Sequence, residues 1–439
     1  MKNGRQKMTM EVRKQIDQIA TSMLQELVKE GKSKNTVFSP LSVFVLLSML
    51  ADASSGRTRE EITGVLSDRN DFEQFLKHMA ALQQQIERDG VYSSANAVIM
   101  REDIQQSLAT DYEYHFCEVF GGKVFSTDNL ATHLDSWVRR KTKGMISSVW
   151  DDSMEEMMLC MINACSFVDD WESPYKECAI QNDDFHNADH TVSRVKMLHS
   201  YESTYVENEM FTGFVKPYKG SAFSYLVLLP KDKMFSFEDY KGKLCFAELI
   251  QGIDNTYANV LMPEFNCTTD VELTDFMNNL GICTVFTPEA DFSPLSSEWL
   301  KVGSMKQKAH IEVNRRETKA AAVTGTGFLS GGMPEEFPKE KDVFVNRPFF
   351  YAIVHNETGI PVFLGAVNHL DAPEEETDLM TNQEKEAVCR PVFERIRDSI
   401  ISEDGIIEDI SLWGRVIVYY RECDIDELKK IEAEVCNLE

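Results

Sequence analysis

Residues 309–327 read AHIEVNRRETKAAAVTGTG. The first five, Ala309 to Val313, alternate apolar and polar with period two, as a strand does. The next strand-like run begins near Phe349, so Arg315 to Pro348 is a connection of over 30 residues with no helical periodicity. Connections longer than roughly 12–15 residues are uncommon in compact domains and are usually functional. Its first half, Glu317 to Gly327, has no proline and few large side chains. At period two, Thr318, Ala320, Ala322, Thr324 and Thr326 share one face, and Glu317 and Lys319 lie on the other. One face is small enough to bury and the other begins with charge. Such a segment can be loop in one state and strand in another. Composition alone reads it as a disordered linker rich in Gly, Ala and Thr.

The flanking sequence places this segment late in an α+β domain. Residues 11–31 have helical spacing through Val12, Ile16, Ile19, Ala20, Met23, Leu24 and Leu27. Ser39-Pro40 opens a second apolar helix through Ala53. Thr58 to Leu66 forms a third, with Thr58 as N-cap and Glu61 completing a capping box. Asp71 to Asp89 follows as helix and Val91 to Met100 as strand, with helices on to about Ser148. Met157 to Phe167 is a continuous apolar run suited to a central strand of a buried sheet. Short strand-like runs then recur at Tyr225–Leu229, Tyr257–Met262, Phe349–Val354 and Val362–Val367. Helices first and sheet later is the α+β pattern. No internal repeat is present. Pro373 with Glu374-Glu375-Glu376 reads as a linker, giving a main domain over 1–371 and an acidic extension over 372–439. The extension reads as a small α/β unit: helix Asn382–Ser402, strand Gly414–Arg421, helix Asp424–Val435.

The formal net charge of −27 disfavours nucleic acid and anionic membrane as partners. From Asp371 onward there are 20 acidic and 8 basic residues, a net of −12 (8 − 20). The N-terminal 30 residues mix charges throughout and lack the apolar core of a signal peptide, which leads to an expectation of a cytoplasmic protein, with unconventional secretion as the other route. Val37 to Ala53, the nearest approach to a membrane span, is interrupted by Ser, Pro and Asp. The ten cysteines form no CxxC pair, so free thiols are expected rather than zinc or redox motifs. No GxGxxG, GxSxG or HExxH pattern occurs, and no GK[ST] follows Gly325-Thr326-Gly327. His186 and His190 lie four apart in what reads as a loop, a weak metal pattern. The reading is of a non-enzyme without metal or cofactor.

A series of short motifs gives the odd segment a context. Asn35-Thr36-Val37-Phe38-Ser39-Pro40-Leu41-Ser42, Trp137-Val138 with Thr142-Lys143-Gly144-Met145-Ile146, and Asn163-Ala164 with Phe167, Trp171, Pro174 and Tyr175 come in order. Tyr225 to Pro230, Met262-Pro263-Glu264-Phe265, Leu280-Gly281-Ile282, Asp291-Phe292-Ser293, Arg347-Pro348-Phe349-Phe350 and Val362 to Val367 follow. Together they resemble the serpin family along about residues 11–370. The resemblance implies a large five-stranded sheet, two smaller sheets, eight or nine helices and an exposed reactive-centre loop over Arg315 to Pro348. It implies a suicide-substrate inhibitor of a serine protease, or of a cysteine protease, acting as a monomer. The cut loop enters the main sheet as a new strand, closing an unpaired gap. The hinge is then Thr318, Lys319, Ala320, Ala321, Ala322, Val323 and Thr324. Counting along the loop places the reactive bond at Gly331-Gly332, with Leu329, Ser330 and Met333 as alternatives. Ser39, Ser42, Asn163 and Gln307 match positions beneath the opening sheet, and Trp171 the top of it; ordinary core packing accounts equally for their burial. Three departures stand out. Arg315, Arg316 and Glu317 replace the family's Glu-Glu-Gly hinge, Gln307 replaces a His, and the far side of the loop is long. A non-inhibitory serpin acting in binding, storage or a chaperone-like role is the alternative.

Overall fold

The helix opened by Ser39-Pro40 sits at the centre of the molecule. Ser39 caps it, its side chain accepting the Ser42 N–H, and Pro40 takes the first turn, where its missing N–H is harmless. Every residue from Pro40 to Ala53 except Asp52 is buried. A helix apolar on all sides needs partners on all sides, and the remaining elements supply them.

The computed structural model describes residues 2–30, 35–66, 71–105, 107–126, 130–149, 157–232, 246–315, 339–372, 382–400, 410–421 and 424–436. The elements begin with α1 (Lys2–Glu30), β1 (Thr36–Phe38), α2 (Pro40–Ala53), α3 (Gly56–Leu66), α4 (Phe72–Glu87) and β2 (Tyr92–Met100). Next come α5 (Glu102–Gln105), α6 (Tyr112–Phe120), β3 (Lys123–Ser126), α7 (Leu130–Lys141), β4 (Leu159–Phe167), β5 (Ile180–His186) and β6 (Val192–Glu202). They continue with β7 (Thr204–Glu207), β8 (Phe211–Pro217), β9 (Phe223–Pro230), α8 (Phe246–Leu249), β10 (Thr256–Pro263), β11 (Phe265–Glu272) and α9 (Thr274–Asn279). The last are β12 (Val302–Val313), β13 (Lys339–Phe344), β14 (Phe349–His355), β15 (Ile360–Val367), α10 (Asn382–Ile400), α11 (Ile410–Arg421) and α12 (Ile425–Cys436).

The strands form three sheets. The main one is five-stranded, ordered β11-β12-β4-β2-β3. A second is ordered β1-β15-β14-β9-β8-β7 and a third β13-β10-β6-β5. The second has six strands, more than the main sheet, but its end strands β1 and β7 span only three and four residues. The main sheet is sandwiched. In β4, Leu159, Met161 and Cys165 belong to the core built around α2, while Cys160, Ile162 and Ala164 pack with Leu134, Trp137 and Val138 of α7 on the other face. Burial on both faces explains the unbroken apolar run.

Several expectations are corrected. Thr58 does not cap α3, which begins at Gly56; its hydroxyl accepts the Asp291 N–H, and the Glu61 carboxylate takes the Cys283 and Thr284 N–H groups instead of closing a capping box. The long connection ends earlier than expected, because Lys339–Phe344 is a strand running parallel to β10. Among the described residues of the extension every element is a helix: Gly414–Arg421 is part of helix α11, not a strand. Its Leu412, Trp413, Val416, Tyr419 and Tyr420 recur at helical spacing and pack on α10 and α12.

One buried carboxyl makes a test of packing in α1. Asp17 Oδ1 has no hydrogen-bond partner among the described residues, and burial pushes the Asp17 pKa up to about 7 despite Arg13 nearby. An acid with a raised folded-state pKa favours folding at low pH. That contribution fades as pH rises past the unfolded value near 3.8 and is gone above about 7. Asp17→Asn is therefore expected to raise the unfolding temperature by a few degrees at pH 8, for a gain of roughly 1–2 kcal/mol, and by clearly less at pH 5, where the cost has only begun to develop. An equal shift at both pH values would contradict this.

Candidate functional site

The site is a seam. Strands β4 and β12 pair directly and in parallel from Leu159↔Val302 to Ala309↔Cys165, with an irregularity between Val302 and Ser304. The ladder stops at Ala309, although β12 runs on to Val313, still paired with β11, and β4 runs on to Phe167, still paired with β2. The gap expected from the sequence is thus confined to the top of the sheet, and the seam below it is closed. A chain leaving the top of β12 and turning back would lie antiparallel to both seam strands.

Beneath the seam lies a buried polar cluster that unites the residues singled out in the sequence. Gln307 projects inward from β12 and binds the backbone of Ser39 twice: its Oε1 accepts the Ser39 N–H at 3.1 Å and its Nε2 donates to the Ser39 carbonyl at 2.9 Å. An amide has one acceptor and one donor end, so it satisfies both groups at once. The Ser42 hydroxyl meets the Tyr92 hydroxyl at 3.0 Å. Asn163 Nδ2 donates to Asn96 Oδ1 at 2.6 Å, and Asn96 Nδ2 donates to the Phe120 carbonyl. Asn163 Oδ1 has no partner among the described residues. Burial holds the Tyr92 phenol well above its usual pKa and pushes the Cys165 thiol up to about 11, so both stay neutral. Tyr92 and Asn96 were not foreseen; their strand was read, but not which side chains it turns inward.

At the top of the seam stands an aromatic gate. Trp171, on the segment continuing from β4, donates its Nε1–H to the Asn314 carbonyl at 2.9 Å, just past the end of β12. Its ring stacks on Tyr218 at 4.5 Å and meets Tyr225 and Tyr175 edge-on. Below it the Lys216 ammonium lies 4.5 Å from the Tyr175 ring centroid, 5.7 Å from that of Trp171 and 2.6 Å from Glu202 Oε1. The Lys216 and Glu202 side chains are 2% and 7% exposed, so neither charge is met by solvent and each depends on the other. This pair was missed because its members come from separate strands, β8 and β6; a lysine inside the apolar run Phe214–Pro217 was the only signal.

The loop leaves this gate at Arg315, whose backbone N–H donates to Glu264 Oε1 at 3.0 Å. Residues 316–338 lie outside the described residues, and with them the hinge Thr318 to Thr324 and all reactive-bond candidates: Leu329, Ser330, Gly331, Gly332 and Met333. The chain is described again at Lys339, the first residue of β13. Among the described residues no cluster of three or more His, Cys, Asp or Glu side chains is placed to hold a metal, and no helix is long and apolar enough to cross a membrane.

The chain is similar to plasminogen activator inhibitor 1 of Bos taurus, with 27% identity over 368 residues covering 79% of this chain and 89% of that one. It is similar to a serine protease inhibitor of Cyanea capillata, with 27% identity over 371 residues covering 80% and 96%. Among solved structures, the thermophilic serpin tengpin in its native state superposes with a TM-score of 0.69 at 27% identity, over 80% of this chain and 94% of that one. A family model described as serpin (serine protease inhibitor) matches residues 14–370. With that match over most of its length and with the three-sheet fold that carries the seam, this chain belongs to the serpin family.

Proposed function

We propose that the protein is a suicide-substrate inhibitor of a protease, most simply of the serine type. The observation that carries this reading is the seam: a closed parallel β4–β12 pair whose ladder ends at Ala309↔Cys165, with the connection leaving the end of β12 directly above it. In the reaction, the protease hydroxyl adds to the Gly331 carbonyl, the 331–332 amide bond breaks, and the new amine at Gly332 leaves. Gly331 stays joined to the enzyme as an ester. The freed loop then enters the seam, replacing one parallel ladder with two antiparallel ones. Thr318 to Gly331 is 14 residues (331 − 318 + 1), about 48 Å at roughly 3.4 Å per residue. The 12 residues of β12 span about 40 Å on the same rise. A loop cut at Gly331 thus reaches the far end of the sheet and carries the acyl-enzyme with it before water can cleave the ester.

The residue pattern supports this course. The inward positions of the seam, Met161, Asn163, Cys165, Met305, Gln307 and Ala309, are at most 1% exposed. An inserting strand must therefore present small side chains to that side, as Thr318, Ala320, Ala322 and Thr324 do. The relatives named as protease inhibitors point the same way. One observation favours the alternative of a non-inhibitory serpin: the base of the loop is pinned by the Arg315–Glu264 hydrogen bond, next to Arg316 and Glu317, where the family has a Glu-Glu-Gly hinge. Incubation with a panel of serine and cysteine proteases separates the two. The proposal expects a covalent complex that survives denaturing electrophoresis with at least one of them; clean loop cleavage by all would sink it. We further propose the boundary near Asp371, a monomeric state and a cytoplasmic location, to be checked by proteolytic nicking, sedimentation and fractionation of cells.

A further inference from the structure

The family match ends at residue 370, yet the chain continues into three helices with a core of their own, centred on Cys389, Ile396, Val416 and Leu428. These helices reach the main body at Lys176. The Lys176 Nζ lies 3.5 Å from Asp424 Oδ2 and 5.0 Å from the centroid of the Tyr419 ring. Two elements of the extension therefore converge on one cation: Tyr419 from α11, and Asp424 from the turn before α12. Asp424 is itself fixed. Its Oδ1 caps α12 by accepting the Glu427 N–H, its backbone N–H donates to the Tyr419 carbonyl, and its side chain is only 15% exposed.

The position of Lys176 gives this contact its meaning. It follows Tyr175, whose ring covers the Lys216 ammonium. Both lie on the segment that continues from β4, and Trp171 on that same segment holds the Asn314 carbonyl beyond β12. Parting the seam at its top requires this segment and the end of β12 to move away from each other. Whatever fixes Lys176 fixes the β4 side of the gate.

We propose that the C-terminal helical extension is a brace on the gate: by clasping Lys176 through Asp424 and Tyr419, it restrains the parting of β4 from β12 and slows entry of the loop. This rests on the reading that the loop enters the seam, but its test needs no protease. Lys176→Met keeps the apolar stem and removes the charge. Asp424→Asn removes the charge and keeps the helix cap, since asparagine caps as well as aspartate. In the full-length chain, amide hydrogen exchange along 159–165 and 302–309 reports the parting of the seam. Entry of a synthetic peptide with the sequence of residues 318–331, followed by native electrophoresis, reports its filling. Each variant is expected to speed seam exchange and peptide entry about three- to tenfold, the range set by a partly exposed ion pair with a cation–π contact. The double variant should be no faster than the faster single one, because both remove the same link. Arg395→Gln, which breaks the Arg395–Glu432 pair inside the extension, should leave both rates unchanged. Seam exchange unaltered in Lys176→Met and Asp424→Asn, or effects that multiply in the double variant, would overturn the brace. Failure of the chain to trap any protease while exchange still responds would overturn only the inhibitor reading.

Discussion

With arginine in place of Thr324, the protein is expected to be cut by a protease that it would otherwise trap. Thr324 shares its period-two face with Thr318, Ala320 and Ala322, so on insertion it would turn toward the side of the sheet where Met161, Asn163 and Gln307 are at most 1% exposed. Among the described residues the inward seam positions Met161, Asn163, Cys165, Met305, Gln307 and Ala309 are all uncharged, and burying an unpaired charge costs several kcal/mol. Trapping is a race between insertion and hydrolysis of the acyl-enzyme. Each 1.4 kcal/mol added to the insertion barrier slows it about tenfold. The expected result is at least a tenfold rise in the moles of this protein consumed per mole of protease inhibited, with cleaved chain replacing complex on a denaturing gel. Val323→Arg places the same charge on the opposite, solvated face and is expected to change the ratio little. Equal losses from the two substitutions would show that the period-two assignment is wrong.

The second large effect is expected at Gln307. Its side chain accepts the Ser39 N–H and is one of two donors to the Ser39 carbonyl, which also accepts the Val43 N–H in the first turn of α2. Gln307→Ala leaves the Ser39 N–H buried and unsatisfied, takes one of two bonds from the carbonyl and opens a cavity beside them. An orphaned buried polar group costs roughly 1–3 kcal/mol and the cavity adds to it, so about 2–4 kcal/mol is expected. The native state should unfold at a temperature lower by several degrees, and spontaneous conversion to a loop-inserted form should accelerate more than tenfold. Thermal unfolding with native electrophoresis over time checks both. An unfolding temperature equal to that of the unaltered protein would remove Gln307 from the mechanism.

The strands buried on both faces were easy to read and the charged edge strands were not, for a physical reason; of the seam strand β12 only Ala309–Val313 was read. Strands β4, β14 and β15 are buried on both faces and appear as unbroken apolar runs. By contrast β5, Ile180–His186, carries Asn182, Asp183 and Asp184 and reads as a loop; it is a strand because β6 holds it in register over its whole length. β13, starting Lys339-Glu340-Lys341-Asp342, is likewise made by its parallel partner β10 and not by its own side chains. Helix α11 was mistaken for a strand because Val416, Ile417, Val418, Tyr419 and Tyr420 have strand-forming side chains; packing on α10 and α12 overrides that preference. The candidate site divides the same way. Ser39, Asn163 and Gln307 were singled out through short motifs in a familiar order, but the two hydrogen bonds between Gln307 and the Ser39 backbone join residues 268 apart and needed the fold. Lys216 shows only as a charge inside the apolar run Phe214–Pro217, and Glu202 has no signature, since a buried ion pair is defined by proximity. The long connection was visible as an anomaly of length, yet its far end was drawn too late because a charged strand resembles a loop.

The central claim is that the seam between β4 and β12 is closed now and receives the loop after cleavage. Thermal unfolding of the purified chain before and after a single cut within residues 325–335 tests it most directly. Insertion replaces the one β4–β12 ladder with a ladder on each side of a strand of about 14 residues, a net gain of one ladder at roughly 0.5–1.5 kcal/mol per hydrogen bond, so the cut protein is predicted to unfold tens of degrees above the intact one. An unfolding temperature that stays the same or falls after the cut would contradict the account.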